Sequence, residues 1–431
     1  MGTKEAKIDK LAKKLTKLVE IFRRGEKAKD FEWWNHNSPL SIFKPLYGYQ
    51  DGQLLFKEVV EGIISLNPEM LSDHWVHREL IFEFLTYQTI SVTKEQHLSN
   101  QSLVNEAKKQ VNKLIDFENR QNIDVPISNL RIIGEQFQLA NVTFTKITEP
   151  ELEVWKKNIP IMWDSQKLDG HAIARVRAPG DQSKAISYAR TQVDLVLDAF
   201  RAFCFPFISK AFSGQTSSWQ LEVVGDVIPL GSTPLRINGK RFLAQVGSGA
   251  TQLELEKNIL SKLEQPQWEL IDKLILKTNR SKMESKLQNG IHWLSESTKP
   301  DTNNSKFIKI SVALETLIGG EPQDEELKVR GITAMLAERA AFIMGENLND
   351  RLAIDKDIRT YYGIRSDIVH GNIKVVSSDN INGFGKLIHR LALALLGKLD
   401  ELGDALSDIN ELETWVKKQK YFLPSNNTKE Q

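Results

Sequence analysis

The sequence predicts an α+β protein that is mostly α-helical, in which a mixed helix and strand region precedes a C-terminal helical bundle. Apolar residues recur every three or four positions near both ends of the chain, which is the period of an amphipathic helix. Apolar and polar residues alternate in parts of the middle, which is the period of a strand. With 431 residues, 41% of them hydrophobic and 26% charged, the chain is expected to form two or three globular domains.

The first element, residues 1–30, carries ten Lys or Arg against five Asp or Glu. Apolar positions three and four residues apart predict a basic amphipathic helix, and they are Ile8, Leu11, Leu15 and Leu18. Two interpretations fit this helix. Either it packs on its own protein with a solvated lysine face, or it contacts nucleic acid or a membrane surface.

Residues 31–280 are predicted to form a mixed α/β region whose function the sequence does not indicate. Its first part, 31–128, is interpreted as helical, and 129–250 as strand-rich around one long helix, SYARTQVDLVLDAFRAF. Asn238-Gly239 predicts a tight hairpin between LRI and KRF. From residue 251 onward the pattern is helical again.

Residues 285–415 are predicted to form a compact bundle of about five helices. Glycines stand where helices should end, at Gly319-Gly320, Gly345 and Gly371. An acidic loop, Glu321 to Glu326, separates two of the helices. Residues 419–431 are interpreted as a flexible tail.

Charge and cysteine content narrow the class of protein. The 57 basic and 56 acidic residues give a net charge of +1, which argues against a surface that attracts nucleic acid everywhere. Cys204 is the single cysteine, so a disulfide framework and a multi-cysteine zinc site are excluded. No signal peptide or membrane-spanning stretch is evident, and a soluble, cytoplasmic protein without a membrane partner is expected.

Three charged residues of the bundle fall on apolar helix faces. Arg339 lies among Ile332, Leu336 and Ile343, with Met335 and Phe342 at the edge of the same face. Glu315 lies within the arc of Phe307, Ile310, Leu314 and Ile318, and Arg365 shares a face with Tyr361, Ile364, Ile368 and Val369. Because a buried unpaired charge is costly, either Glu315 pairs with Arg339 or Arg365, or the arginines line a polar pocket for an anion such as phosphate.

His370 follows Arg365 by five residues, in RSDIVHG. Five residues rotate by about 140° on a continuous helix, so the two side chains would point in different directions. They converge if the helix ends at His370, which Gly371 favours, or if a second copy of the chain completes the site.

The segment Tyr361–Gly371, together with the residues upstream of it, resembles the signature of the Apea-like branch of the HEPN superfamily. That signature is an Arg, four to six residues and a His, and in this chain it is Arg365 and His370 in RSDIVHG. The segments IHWLSES, ALETLIGG and LAERAAFI precede it in the order found in this branch. The resemblance covers about residues 285–410, and the preceding 280 residues resemble no family we can name.

The resemblance implies a four- to five-helix bundle that forms a homodimer, with the Arg and His of both copies lining a shared cleft. Many such proteins are metal-independent endoribonucleases of bacterial toxin, phage-defence or abortive-infection systems. Applied to this chain, the resemblance implies that Arg365 and His370 are the catalytic residues and that no cofactor or metal is needed. Supporting roles fall to Arg339, Glu315, Ser366, Asp367, Tyr361 and Asn372. Ser366 stands where many superfamily members have a more polar residue, which leaves the orientation of His370 open.

The residue types suit cleavage of an RNA substrate through its ribose 2′-OH, since His370 can transfer protons and Arg365 can stabilise a phosphorane. The alternative is a non-catalytic HEPN dimerisation, adaptor or sensor module. A metal pair at His74 and His77 lacks an evident third ligand, and helix histidines explain it better. Gly247-Ser248-Gly249 lacks the flanking residues of a phosphate loop and is interpreted as a turn.

Overall fold

The structure, a computed structural model, describes sixteen stretches of the chain. They are residues 3–25, 50–85, 88, 99–128, 130–132, 136–146, 148–150, 172–211, 222–223, 235–237, 240–242, 253–255, 265–299, 301–320, 331–372 and 375–421. The predicted acidic loop Glu321 to Glu326, the predicted turn at Gly247-Ser248-Gly249 and the side chain of Cys204 lie outside the described residues.

The described residues are mostly helical. The helices are α1 (Lys4–Gly25), α2 (Gln50–Leu66), α3 (Asp73–Arg78), α4 (Asn100–Ile115), α5 (Gln182–Ala211), α6 (Gln265–Leu276), α7 (Lys282–Thr298), α8 (Asn303–Ile318), α9 (Ile332–Met344), α10 (Leu348–Val369), α11 (Ser378–Leu402) and α12 (Ile409–Tyr421). A π-helical segment, Glu79–Leu85, continues α3, and a 3-10 turn, Gly403–Leu406, follows α11.

Strands occupy the middle of the chain. They are β1 (Arg120–Ser128), β2 (Leu130–Ile132), β3 (Phe137–Leu139), β4 (Val142–Lys146), β5 (Ala172–Pro179), β6 (Glu222–Val223), β7 (Leu235–Ile237), β8 (Lys240–Phe242) and β9 (Leu253–Leu255). The main sheet has the order β3-β4-β5-β1-β8-β7, with β6 antiparallel to β1, while β2 pairs in parallel with β9. The α+β, mostly helical class predicted from the sequence is therefore confirmed.

The sheet register follows from alternation in the sequence. In β4, Val142 and Phe144 are buried and Thr143 is half-buried, as expected of a strand with one face on a core. β4 pairs antiparallel with β5, so that Phe144 lies opposite Ala174. The predicted hairpin residues Asn238 and Gly239 are not described, but β7 and β8 on either side of them are neighbours in the sheet.

By contacts between residues, the chain divides into two compact units. The first comprises 1–123, 177–189 and 239–241, and the second comprises 124–176, 190–238 and 242–431.

In the first unit, α1 packs its apolar face against α2 and α4. Ile8, Leu11, Leu15 and Leu18 are all buried in one apolar cluster. Gly62 of α2 lets α1 approach closely, because a Cβ there would overlap the side chain of Leu11. Of the two interpretations of the N-terminal helix, packing on its own protein is therefore the one that accounts for its apolar face.

β5 ends in the first unit as the sequence predicts, at Pro179 followed by Gly180 with φ +95°. Asp181 then caps α5 by accepting the backbone N–H of Ser183 at 2.8 Å, and it also accepts the Ser72 hydroxyl at 2.9 Å. An acceptor at this position satisfies N–H groups that the first turn of a helix leaves without partners.

In the second unit, an aromatic cluster joins the sheet to two helices. Phe144 of β4 and Phe200 of α5 lie with ring centroids 5.4 Å apart, and Trp268 of α6 lies 5.8 Å from Phe200. The C-terminal helices form a bundle in which α7 and α8 pack closely together where Gly290 faces Leu317. α8 and α9 end at Gly319 and Gly345, as predicted.

Some predictions from the sequence were wrong. The segment Arg120–Ser128 lies within the part interpreted as helical but forms β1, and Leu253–Leu255, also interpreted as helical, forms β9. Residues 419–421, assigned to a flexible tail, belong to α12, where Lys420 pairs with Glu338 at 2.7 Å. Ile332, assigned to the apolar face of its helix, is 48% exposed because it begins α9. Among the described helices, none is both long and apolar enough to cross a membrane.

Candidate functional site

The candidate site lies at the C-terminal end of α10, where an apolar helix face loses its cover. Ile354, Ile358 and Tyr362 lie on this face at intervals of four residues and are buried. The same face continues through Arg365 and Val369, three and seven residues beyond Tyr362. There the side chain of Arg365 is 33% exposed and Val369 is 57% exposed. The end of α10 therefore presents a positive charge and an apolar side chain on a face that is core elsewhere.

Glu315 of α8 and Tyr362 hold the guanidinium of Arg365. Nη2 of Arg365 lies 3.4 Å from Oε1 of Glu315, and its guanidinium carbon lies 5.4 Å from the centroid of the Tyr362 ring. The Tyr362 hydroxyl donates to the same Oε1 at 2.9 Å. One carboxylate oxygen thus accepts the Tyr362 hydroxyl and forms an ion pair with Arg365, which restricts where the guanidinium can point.

Burial raises the pKa of Tyr362 to about 12, and its hydrogen bond to Glu315 acts in the same direction. The phenol therefore keeps its proton throughout the physiological range and acts as a hydrogen-bond donor rather than as an acid or base. Sequence reasoning did not select Tyr362. Its spacing of four from Ile358 indicates the buried face, and its hydroxyl requires a partner there.

His370 is the C-cap of α10 and is an exposed residue. Its backbone N–H donates to the carbonyl of Ser366 at 2.9 Å, and Gly371 follows with φ +75°. The helix thus ends where the sequence predicted, which is one of the two conditions for Arg365 and His370 to converge.

Three further predicted residues have local structural contacts. The backbone N–H of Asn372 donates to the carbonyl of Asp367 at 2.8 Å, and its side-chain amide to the Asp367 carboxylate at 3.3 Å. Asp367 and Asn372 thus close the turn that carries His370. Tyr361 stacks on Phe384 at a centroid distance of 4.9 Å, and burial raises the pKa of its hydroxyl.

Arg339 does not join this group in the structure. It is 2% exposed, and it donates to the carbonyl of Ile318 at 2.8 Å and lies 3.4 Å from the carboxylate of Glu413. Burial lowers the pKa of Arg339, and the charge of Glu413 opposes that effect. Of the alternatives for buried charges, the ion pair Glu315–Arg365 is formed, whereas Arg339 pairs with Glu413, a residue that the sequence did not single out.

The other predicted features contribute little to a site. His77 lies 3.5 Å from Asp73 and stacks on Phe56 at 5.0 Å, and the side chain of His74 is not described. Within the described ranges, no group of three or more His, Cys, Asp or Glu residues is placed to hold a metal ion.

Comparison of the chain with models of protein families, with curated proteins and with solved structures found no match.

Proposed function

We propose that the protein is a metal-independent endoribonuclease of the HEPN type, with Arg365 and His370 as its catalytic residues. The observation that carries this proposal is the end of α10, where both side chains are accessible and the guanidinium of Arg365 is held by Glu315 and Tyr362. A planar cation and an exposed imidazole at the same helix end are the residue types that phosphodiester cleavage needs for charge stabilisation and proton transfer.

The reaction begins when an imidazole removes the proton of a ribose 2′-OH. The 2′-oxygen attacks the adjacent phosphorus, and the bond to the 5′-oxygen of the next nucleotide breaks as that oxygen takes up a proton. Arg365 stabilises the extra negative charge of the phosphorane with its paired N–H donors. The products are a 2′,3′-cyclic phosphate and a 5′-hydroxyl, and His370 from each of two copies supplies the base and the acid.

A homodimer is part of this proposal. Val369 is 57% exposed and Val375, on the other side of His370 in the chain, is 74% exposed. A second copy packed on this end of α10 buries both valines and brings two His370 side chains to one cleft. The setting we propose is a cytoplasmic bacterial toxin or phage-defence system.

A non-catalytic adaptor or sensor is the second candidate function. Residues 301–400 carry 13 basic and 14 acidic groups, which is a weak charge balance for a general RNA-binding surface. The ion pair between Arg365 and Glu315 would also fit a protein–protein interface that has no catalytic role. A direct measurement of RNA cleavage separates the two functions.

The test measures cleavage of a mixed-sequence RNA in excess EDTA by the full-length protein. We expect cleavage to persist in EDTA and His370→Ala to lower the rate by about 10² to 10⁴, the range for loss of acid–base catalysis. Arg365→Lys should also lower it, because an ammonium cannot reproduce the planar fork. An RNA with deoxyribose at the cleaved position should resist cleavage, because the nucleophile is missing.

Matched controls are available on the same chain. Arg359→Lys alters an arginine of the same helix that pairs bidentately with Asp355, at 2.7 and 3.1 Å, and His77→Ala removes a histidine of the first unit. Both controls should leave the rate unchanged. Cleavage of DNA, a requirement for magnesium or full activity of His370→Ala would refute the mechanism. An absence of cleavage together with an intact cellular phenotype of His370→Ala would favour the adaptor.

A further inference from the structure

A second polar cluster lies in the same unit, between α5 and α7, and the proposed cleavage does not use it. Its centre is Asp198 of α5, a carboxylate that is 8% exposed. It accepts the hydroxyl of Ser295 at 2.6 Å, Nη1 of Arg201 at 3.1 Å and Nδ1 of His292 at 2.8 Å. The carboxylate of Asp198 thus forms an ion pair with Arg201 and also binds the imidazole of His292.

His292 differs from the other members of the cluster because its side chain is 52% exposed. Since Nδ1 is bonded to Asp198, Nε2 is the ring nitrogen that remains for a ligand. The hydrogen bond to Asp198 raises the pKa of His292, although partial burial acts against it. The ring is therefore fixed in direction by a buried group and is inclined to carry a positive charge.

The charges around the ring come from both helices. On α7, Glu296 raises the pKa of His292 and Lys299 lowers it, and these two residues form an ion pair with each other. On α5, Asp194 lies one turn before Asp198, and burial raises the pKa of Asp194. Glu296 is paired with Lys299, and burial disfavours the charged form of Asp194, so neither acid cancels the charge of a protonated His292.

An aromatic side chain adjoins the imidazole. Trp293 is 36% exposed, and its ring centroid lies 6.1 Å from that of His292 in an edge-to-face arrangement. A fixed cation beside an exposed aromatic ring is the combination by which proteins hold single-stranded nucleic acid, with the cation on a phosphate and the ring against a base. An anionic protein or a bare phosphate would use the cation but would not need the ring.

We propose that His292 and Trp293 form an RNA-binding subsite separate from Arg365 and His370. Nε2–H of His292 donates to a backbone phosphate oxygen, and a base stacks on Trp293. Asp198 is a positioning residue, which turns the imidazole and favours its protonated form. This inference rests on the proposed ribonuclease function, because that function makes RNA the ligand. The subsite holds the strand and takes no part in the chemistry.

Binding, measured apart from cleavage, tests the subsite. The protein is full-length His370→Ala, which does not consume the probe, and the probe is a short fluorescein-labelled oligouridine followed by anisotropy. Adding His292→Gln should weaken binding about tenfold at about pH 6, which is the loss expected for one charge-assisted hydrogen bond. At a higher pH, where the imidazole of His292 has lost its proton, the difference should shrink. Trp293→Leu should weaken binding about tenfold at both pH values, because stacking does not depend on the proton.

The control is His77→Gln in the same background, since His77 also has a carboxylate near its ring. It should leave the affinity unchanged. The subsite is refuted if His292→Gln binds as tightly as its parent at about pH 6, if the loss is the same at both pH values, or if His77→Gln loses as much. Should His292→Gln fail to fold, an unchanged affinity of Trp293→Leu refutes it instead.

The two proposals fail in different ways. If the wild-type protein cleaves RNA but binding ignores His292 and Trp293, the subsite is wrong and the proposed function stands. If oligouridine binding depends on both residues but no RNA is cleaved, the subsite stands and the ribonuclease activity is wrong.

Discussion

Arg339 shows what a helical wheel can and cannot predict about one residue. The wheel places Arg339 among apolar side chains, and the structure leaves it 2% exposed. The wheel gives the direction of a side chain but not its partner, which comes from a distant segment. The partner is Glu413 of α12, in the part of the chain where the predicted bundle was taken to end.

Replacing Arg339 by Met tests whether this ion pair is structural. The substitution keeps an apolar stem and removes the donors to the Ile318 carbonyl and to Glu413, which is 4% exposed. We expect the free energy of unfolding to fall by about 3 kcal/mol or more, because a buried carboxylate loses its cation. Urea denaturation of the variant measures this loss.

The double variant Arg339→Met/Glu413→Leu is the matched control for this pair. It removes both charges, so much of the lost stability should return. A loss of less than about 0.5 kcal/mol in the single variant would mean that the ion pair does not stabilise the bundle.

Among the helices, α7 and α8 depend on one glycine for their close approach. A Cβ on Gly290 would lie 2.4 Å from Cδ2 of Leu317, which is fully buried. The helical period of α7 is readable from the sequence, but the need for a glycine at this position is a property of two helices together. Sequence patterns within one helix cannot show it.

Gly290→Ala should therefore destabilise the bundle, although alanine is the better helix former. We expect a loss of about 1–3 kcal/mol from overpacking against Leu317. Gly397→Ala in α11 is the control, because nothing lies within 4 Å of a Cβ there, and it should gain about 0.5–1 kcal/mol. Thermal unfolding of both variants measures the change in stability. A change of the same sign in the two variants would contradict the packing argument.

His389 of α11 makes the contact with α5 sensitive to acid. The side chain is 7% exposed and lies against Phe203 with ring centroids 5.7 Å apart. Burial lowers the pKa of His389 to about 4, against a partial opposing effect of its hydrogen bond to the Phe203 backbone. The unfolded chain therefore binds this proton more readily than the folded one.

The stability that neutral His389 contributes is fully present above about pH 6.5 and is lost as the pH falls through about 4. We expect this residue to account for a fall on the order of 3 kcal/mol across that window. His389→Gln, which keeps a donor but cannot be protonated, should flatten the dependence of unfolding free energy on pH. An unchanged acid limb in urea titrations at several pH values would contradict the assignment.

For the molecule as a whole, features with local causes could be predicted and features with distant partners could not. Helix ends at Gly319, Gly345 and Gly371 follow from neighbouring residues, as does the end of β5 at Pro179. β9 depends on pairing with β2 more than a hundred residues earlier in the chain, so its three residues carry little signal of their own.

The candidate site divides in the same way. A local motif selects Arg365 and His370, and the wheel selects Glu315, because each of these needs only a few neighbouring positions. The Tyr362–Glu315 hydrogen bond and the Arg339–Glu413 pair join separate helices. Neither can be read from one segment, and so the sequence could not separate a structural arginine from one at the site.

The assembly of two copies is the expectation that concerns the whole molecule. The face of α10 that buries Ile358 and Tyr362 ends in Val369, which is 57% exposed. In the proposed active form, we expect a second copy of the chain to cover this side chain. Since the proposed chemistry needs two imidazoles, we expect loss of the dimer and loss of cleavage to occur together.

Val369→Asp tests this expectation, because the substitution puts two carboxylates opposite each other at a two-fold interface, where they repel. Sedimentation equilibrium should show a dimer for the wild type and a monomer for this variant, with RNA cleavage reduced in proportion. Leu276→Asp is the control, since Leu276 is 47% exposed on α6, and it should stay dimeric and active. A wild-type monomer at micromolar concentration, or a dimeric and active Val369→Asp variant, would mean that the end of α10 is not where two copies meet.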